Sequence, residues 1–327
     1  MRQETWILGI DIGGTKTAVC LAHPDGTITH ELRMPSLPEQ GPEDWLERSR
    51  ILIAALLDRA GLALNQLAMT GISAPGPLST RTGALLNAPN MTGWEEVPVV
   101  SMFQRFIPGH IVMNNDANAA ALAEWMYGSY SGADGLIYLT MSTGLGAGII
   151  ANGKLLQGVS DTAGEVGYHV LDLNGPESPC GHRGSFEAFC GGKNLADQLR
   201  ERIAREGAPS RILEHAGGDL ARLDFRCLVE AVREGDAEAV RIWEGFVLRL
   251  GQGIGNLIMI LNPEVIVLGT IGIHAADILL EPLHAVLPRF VLKPALEACT
   301  IVPSSLGGRI GNMAAVALAV QELDSRS

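Results

Sequence analysis

The most informative carboxylate of the chain is Asp116, which stands where an apolar strand passes directly into a helix. The segment HIVMNNDANAAALAE (110–124) predicts a strand over 111–113 and a helix that starts near Asp116. An aspartate at a helix start often serves only as an N-cap. It can also be a general base, because the positive end of the helix dipole keeps it ionised. The amides Asn114, Asn115 and Asn118 favour the second interpretation, a site for a polyhydroxylated ligand.

Two glycine-rich turns could hold phosphate: IGGTK (12–16) and STGLG (142–146). Each lies between two predicted strands, so neither opens a helix as a dinucleotide-binding GxGxxG does, and neither fits a Walker A loop. A single glycine turn is more often a plain β-turn. Two turns in duplicated contexts, each with a Thr hydroxyl, favour phosphate binding through backbone N–H groups. Asp11, at the end of the strand before the first turn, is a natural ligand for Mg²⁺ that bridges phosphates.

The irregular stretch 160–192 carries further polar candidates. Glu165 and Glu187 could accept hydrogen bonds from sugar hydroxyls, but glutamate is also an ordinary surface residue, and the sequence leaves both readings open. Four residues could form a zinc quartet: His169, Cys180, His182 and Cys190. Their spacing, H-x10-C-x-H-x7-C, fits no standard zinc pattern, which favours ordinary polar loop residues.

The predicted elements indicate an α/β protein with duplicated architecture. A helix is expected over 42–59, a buried strand over 264–269 and an Ala-rich helix near 311–323. Residues 136–155 repeat the plan of residues 7–27, a strand, a glycine turn and a second strand. Strands that alternate with helices predict α/β layers, and the two related halves should meet between residues 115 and 135.

Composition excludes several classes of protein. Against 36 Asp and Glu the chain has 24 Lys and Arg, a net charge of −12, which argues against a nucleic-acid binder. No apolar run reaches the roughly 18 residues of a membrane span, the N-terminus lacks a signal-peptide pattern, and five scattered cysteines do not suggest a disulfide framework. We therefore expect a cytoplasmic protein with no nucleic-acid or membrane partner.

Several motifs in order resemble the ROK family (repressor, open reading frame, kinase) of the actin-like ATPase superfamily. They are LGIDIGGTKTAV (8–19), GISAPGPL (71–78), LNAPNMTGW (86–94), NNDANAAALAE (114–124), STGLGAGI (142–149), AGEVGYH (163–169), CGHRGSFEAFCGG (180–192) and LGGRIGNMAAVALA (306–319). The resemblance implies two actin-like (ribonuclease H-like) domains with a central cleft. Residues 1–120 with 308–327 would form the first domain and residues 121–307 the second.

The resemblance also assigns residues. It implies ATP and Mg²⁺ as cofactors, with Asp116 as catalytic base and Asp11 as the ligand of Mg²⁺ held through ATP. The nucleotide would contact Asp11, Gly13, Gly14, Thr15, Lys16, Thr143, Gly144, Gly146 and Gly269. The sugar would contact Gly76, Asn90, Asn115, Asp116, Glu165 and Glu187, with Tyr168 or His169 replacing a family histidine. In the adenine pocket the usual Gly-Gly pair is Gly269-Thr270 here.

The family's zinc pattern is altered in this chain. Counting from Glu165 to Glu187 preserves the family's spacing, and the positions of the His and three Cys ligands then hold Tyr168, Ser178, Cys180 and Ser185. Only one ligand of four remains, so we expect no structural zinc. Whether His169, Cys180, His182 or Cys190 retains a metal is left open.

The function implied is ATP-dependent phosphorylation of a hexose at its 6-hydroxyl, glucokinase-like, by a homodimer. A fructokinase, an N-acetylhexosamine kinase and a sugar-binding protein without catalysis are the alternatives. A sugar-responsive repressor is disfavoured, because the seven residues before LGIDIGG leave no room for a helix-turn-helix.

Overall fold

The computed structural model describes residues 5–88, 91–178, 181–206 and 211–326. These residues form two compact units. The first unit comprises residues 1–132, 155–163 and 308–327, and the second comprises residues 133–154 and 164–307.

The described residues contain these strands, in chain order: β1 Trp6–Ile12, β2 Lys16–Ala22, β3 Ile28–Pro35, β4 Leu67–Ala74, β5 Leu78–Ser79, β6 Ala84–Leu85, β7 Ile111–Asn115, β8 Gly135–Met141, β9 Leu145–Ala151, β10 Lys154–Leu155, β11 Val265–Leu268 and β12 Thr300–Pro303. The helices are α1 Pro42–Ala60, α2 Val99–Gln104, α3 Asp116–Tyr127, α4 Phe186–Cys190, α5 Gly192–Glu206, α6 Arg211–His215, α7 Phe225–Arg233, α8 Ala237–Leu261, α9 Thr270–His274, α10 Ala276–Val286, α11 Lys293–Ala298 and α12 Ile310–Ser325.

The two five-stranded sheets have the same strand order, β3-β2-β1-β4-β7 in one and β10-β9-β8-β11-β12 in the other. In each sheet an antiparallel hairpin across a glycine turn (β1–β2, β8–β9) continues into a parallel neighbour (β4, β11). The duplicated architecture and both glycine hairpins are thereby confirmed.

Local signals set the first helix, α1. Pro42 is its first residue, where a missing N–H costs nothing, and Gly61 ends it in a left-handed conformation with φ of 66°. Trp45, Ile53 and Leu56 point from one face into the core of the first unit. The helix expected over 42–59 is confirmed.

Helix α12 packs against the first sheet at two glycines in the middle of strands. A Cβ on Gly71 of β4 would lie 2.0 Å from the carbonyl oxygen of Ala315, and a Cβ on Gly9 of β1 would lie 3.3 Å from the Ala315 Cβ. Only glycine allows the backbones to approach so closely. The C-terminal segment is therefore part of the first unit, and the helix expected near 311–323 is confirmed.

The domain boundary expected from the sequence, after residue 120, falls inside α3. The structure keeps α3 whole in the first unit and also assigns residues 155–163 to that unit, where the Asp161 carboxylate accepts hydrogen bonds from the backbone N–H and the hydroxyl of Thr80. Across the described ranges, no helix is long and apolar enough to cross a membrane.

Candidate functional site

In the first unit, three neighbouring parallel strands bring polar residues to one edge of the sheet. Asp11 of β1 pairs with Ser73 of β4, and Ser73 pairs with Asn114 of β7. Neighbouring strands lie about 4.8 Å apart, so β1 and β7 are separated by about 10 Å. Asp116 follows Asn114 by two residues, and it therefore lies at the same carboxyl edge as Asp11.

Asp116 is the first residue of α3, and its side chain is exposed. The N-cap is Asn115, whose side-chain oxygen accepts hydrogen bonds from the N–H of Ala117 at 2.9 Å and of Asn118 at 3.4 Å. The interpretation of Asp116 as the cap of this helix is therefore wrong. Asp116 Oδ1 also accepts from the N–H of Ala117 at 2.8 Å, so its carboxylate lies at the positive end of the helix dipole.

The other amides of this junction serve the fold. Asn118 Nδ2 donates to Asn114 Oδ1 at 3.1 Å, and the same oxygen accepts from the N–H of Asn115 at 2.8 Å. Asn114 and Asn118 are both buried. Asn115 uses its oxygen for capping, which leaves its Nδ2 group as the one that could donate to a ligand.

The first glycine turn is closed by the N–H of Gly13, which donates to Lys16 O at 2.9 Å. Three buried side chains form a hydrogen-bonded series that ends at this turn: Trp45, Thr17 and Ser36. Trp45 Nε1 donates to Thr17 Oγ1 at 2.9 Å, the two hydroxyls are 3.0 Å apart, and Ser36 Oγ donates to Gly13 O at 2.5 Å. Since both ends of the chain are fixed, Thr17 must donate to Ser36.

The carboxyl of Asp11 lies against the start of α12. A Cβ on Gly311 would be 2.4 Å from Asp11 Oδ2, so a side chain at that position would force the carboxyl to move. Burial raises the pKa of Asp11, while the Ser73 hydroxyl and the charge of Lys16 act in the opposite direction. A carboxylate that is costly to charge without a partner fits a ligand for a divalent cation.

The remaining candidates of the first unit are Gly76 and Asn90. Gly76 follows the carboxyl end of β4 and is therefore near the same sheet edge as Asp11 and Asp116. Asn90 lies outside the described residues.

In the second unit, Glu187 connects the second glycine turn with α4. Its Oε2 accepts from the N–H of Leu145 at 2.9 Å, and a Cβ on Gly144 would lie 2.6 Å from that oxygen. The turn is closed by Ser142 N–H, which donates to Gly144 O at 3.1 Å, whereas Gly146 lies in β9 opposite Thr140. The residue expected to bind sugar thus lies directly beside the turn expected to bind phosphate.

Glu165 belongs to the same cluster. Partial desolvation by the surrounding protein raises the pKa of Glu165, and the charge of Glu187 adds a smaller shift in the same direction. Two neighbouring carboxylates can together accept several hydrogen bonds from hydroxyl groups.

Gly269 lies at the carboxyl end of β11, beside the strand that leads into the second turn. Its N–H donates to Leu139 O at 2.9 Å, and a Cβ there would lie 2.6 Å from the hydroxyl of Tyr138. Gly269 is buried, and a side chain at this position would clash with the ring of Tyr138.

The residues at the family's zinc positions have other partners. Ser185 caps α4 by accepting from Ala188 N–H at 3.2 Å, and Tyr168 packs edge-on against the ring of His182 at 5.3 Å. Cys190 belongs to the other candidate quartet; its thiol is buried in the core of the second unit, and burial raises its pKa. Cys180 lies outside the described residues.

In the part of the chain that is described, no three His, Cys, Asp or Glu side chains lie close enough to hold a metal ion. The donor set does not fit tetrahedral zinc, which needs four such ligands. The absence of a structural zinc stays a prediction.

Each unit thus gathers its own set of candidates. The first unit brings together Asp11, the turn 12–16, Gly76, Asn115 and Asp116, and the second brings together the turn 142–146, Glu165, Glu187 and Gly269. Sequence reasoning missed Thr17, Ser36, Trp45 and Gly311. The sequence signals for two of them were weak: Trp45 lies on the amphipathic helix α1, and Gly311 lies near the start of α12.

Comparison with known proteins gives the wider context. Residues 7–322 match the model of the ROK family. The chain is 29% identical to a glucokinase of Thermotoga maritima over 95% of this chain and 96% of that protein. It is 26% identical to a xylose repressor of Caldicellulosiruptor bescii, over 97% of this chain and 78% of the repressor.

Among solved structures, a ROK family glucokinase from Streptomyces griseus in complex with glucose and AMPPNP superposes with a TM-score of 0.79 at 27% identity, over 97% of this chain and 99% of that one. The fold is accordingly the two-domain actin-like fold that the motifs predicted. With the family model matched from residue 7 to residue 322, the chain belongs to the ROK family.

Proposed function

We propose that this protein is an ATP-dependent sugar kinase that phosphorylates a hexose at its 6-hydroxyl, as a glucokinase does. The observation that carries the proposal is the position of Asp116. Its exposed carboxylate stands at the start of α3, at the sheet edge that also presents Asp11, while Asn115 performs the capping.

Asp116 is the general base in this proposal. It orients the attacking hydroxyl of the sugar and accepts its proton as the bond to phosphorus forms. Phosphoryl transfer demands little covalent chemistry from a protein, so the contribution of the residues is mainly positioning and charge stabilisation. General-base catalysis of this kind contributes about 10²–10⁴-fold in rate.

Sugar hydroxyls would be held by amides and carboxylates. Asn115 donates through Nδ2, and Glu165 and Glu187 accept. Gly76, Asn90 and either Tyr168 or His169 complete the set. The proximity of Glu187 to Leu145 N–H supports a role in placing the sugar next to the phosphate turn.

The nucleotide phosphates would be held by the N–H groups of the two glycine turns, with Thr15, Lys16 and Thr143 beside them. Gly269 would line the adenine site. Asp11 would hold Mg²⁺, which neutralises phosphate charge when bound. The absence of a side chain at Gly311 leaves room for that carboxylate.

A coupled kinase assay over a panel of sugars tests this proposal. The panel includes glucose, fructose, mannose and N-acetylated hexosamines, and the product is analysed by NMR for the position of the phosphate. ADP release that depends on one hexose, with a 6-phosphate product, is the expected result. Hexose binding by calorimetry without ADP release would instead show a sugar-binding protein.

The similarity to a xylose repressor supports one further candidate function, sugar-dependent regulation of transcription. The net charge of −12 disfavours DNA contact by this chain itself. A DNA-binding assay with and without sugar distinguishes a kinase from a regulator of transcription.

We also propose that the kinase is a homodimer, which analytical ultracentrifugation would test.

A further inference from the structure

The loop that follows Tyr168 is attached to one face of helix α8. Three residues of α8 make the attachment, at spacings of three and four along the helix: Arg249, Gln252 and Asn256. Side chains at such spacings lie on the same face of a helix. All three are half-buried, as expected for groups that are covered by a loop.

The contacts are spread along the loop. The guanidinium of Arg249 pairs with the Asp172 carboxylate at 2.8 Å and lies 4.4 Å from the centre of the Phe189 ring. Gln252 Nε2 donates to the Leu171 carbonyl at 3.1 Å. Arg249 also donates to Gln252 Oε1 at 3.0 Å, so these side chains act as one network.

The third contact concerns a candidate sugar ligand. Asn256 Nδ2 lies 3.3 Å from His169 Nε2. An amide nitrogen can only donate, so a hydrogen bond here requires the imidazole tautomer with Nε2 as acceptor and the proton on Nδ1. His169 can then meet a sugar hydroxyl as a donor through Nδ1.

Helix α8 also supports Glu187. A Cβ on Gly253 would lie 2.3 Å from the Phe186 ring, so glycine is required for α4 to pack there. Glu187 is the next residue of α4. The same face of α8 therefore places both His169 and Glu187.

We propose that this face of α8 is the element that positions the sugar-binding loop, and that Asn256 is a positioning residue for sugar recognition through His169. The inference rests on the proposed function, because it takes His169 as a sugar contact. In this chain, protein contacts would then take the place of the family's zinc. The loop is held by an ion pair, a cation–π contact and amide hydrogen bonds.

The first experiment compares Asn256→Leu with the wild type in steady-state kinetics. Loss of one hydrogen bond to His169 raises the KM for the hexose by about 2-fold to 10-fold, with the KM for ATP and kcat changed by less than 2-fold. Asn256→Gln, which keeps an amide donor, recovers part of the effect. Arg241→Ala is the control, because Arg241 lies on the same helix and pairs with Glu238.

The second experiment measures hydrogen exchange of the amides in residues 169–178. Arg249→Met keeps the aliphatic part of the side chain but removes the charge, and it speeds exchange in this segment, whereas Arg241→Ala does not. Addition of EDTA to the wild type leaves exchange unchanged.

Two results overturn the inference: an unchanged hexose KM in Asn256→Leu, or exchange that speeds up with EDTA and not in Arg249→Met. A wild type without hexose-dependent kinase activity removes the proposed function instead, and the exchange experiment still decides whether α8 holds the loop.

Discussion

The hydroxyl of Ser36 donates a hydrogen bond of 2.5 Å to the carbonyl oxygen of Gly13. Ser36 follows β3 immediately, and Gly13 opens the turn between β1 and β2, so this bond connects the outer strand of the sheet to the proposed phosphate site. Thr17 and Trp45 extend the connection into the core. The turn is therefore shaped by buried side chains.

This relationship predicts the effect of Ser36→Ala and of Thr17→Val. Each removes one hydroxyl from the chain that ends at Gly13, and a typical buried hydrogen bond contributes about 1 kcal/mol. We expect the KM for ATP to rise by about 3-fold to 10-fold in each variant. The two hydroxyls share one network. The free-energy change for ATP binding in the double variant should therefore be smaller than the sum of the changes in the two single variants.

Ser49→Ala is the matched control for these variants. Ser49 is buried and donates to the Trp45 carbonyl at 2.8 Å, so its loss removes a buried hydroxyl from the same region without touching the turn. It should lower stability with little change in the KM for ATP. Equal changes in KM for Ser49→Ala and Ser36→Ala would contradict the role given to Ser36.

A second prediction concerns Gly311→Ala. The new methyl group would lie 2.4 Å from Asp11 Oδ2 and must push the carboxylate aside. A displacement of about 1 Å within a reacting geometry can cost about 10²-fold in rate. We expect the Mg²⁺ concentration for half-maximal activity to rise and kcat to fall.

Gly308→Ala provides the comparison, since no atom lies within 4 Å of a Cβ built on Gly308. That variant should behave as the wild type in a Mg²⁺ titration. If both variants lost activity to the same extent, the contact between Gly311 and Asp11 would not be the cause.

The raised pKa of Asp11 predicts a dependence of stability on pH. Burial makes the charged carboxylate costly in the folded protein, so the folded state holds the proton more tightly than the unfolded state. The contribution of Asp11 to stability is complete below the unfolded pKa near 3.8, and it is lost as the pH rises through the higher pKa of the folded protein.

Asp11→Asn has no such titration. The free energy of unfolding of Asp11→Asn relative to the wild type should therefore increase from about pH 4 upwards and level off once the wild-type carboxyl is ionised, while activity is lost. Urea unfolding across this range measures the difference. A difference independent of pH would show that Asp11 is not strained by burial.

Much of the fold could be predicted because its signals are local. Apolar segments on either side of IGGTK and STGLG predicted both hairpins, and Pro42 and Gly61 marked the ends of α1. The transition from β7 to the helix that begins at Asp116 was also predicted, although the N-cap is Asn115.

What could not be predicted depends on contacts between residues far apart in the chain. Asp172 and Arg249 are 77 positions apart, and Ser36 and Gly13 are 23 apart. No spacing in the sequence reports which carbonyl a buried serine will reach. The tight approach of α12 to Gly71 likewise depends on packing between the two ends of the first unit.

The measurement that tests the central claim most directly is the turnover of Asp116→Asn, with sugar affinity measured by calorimetry on the same preparation. Asp58→Asn, an exposed aspartate on α1, serves as the control. We expect kcat to fall by about 10²–10⁴-fold in Asp116→Asn, with the Kd for the hexose within about 2-fold of the wild type, since the amide keeps the size of the side chain. A variant that turns over as fast as the wild type would show that Asp116 is not the base.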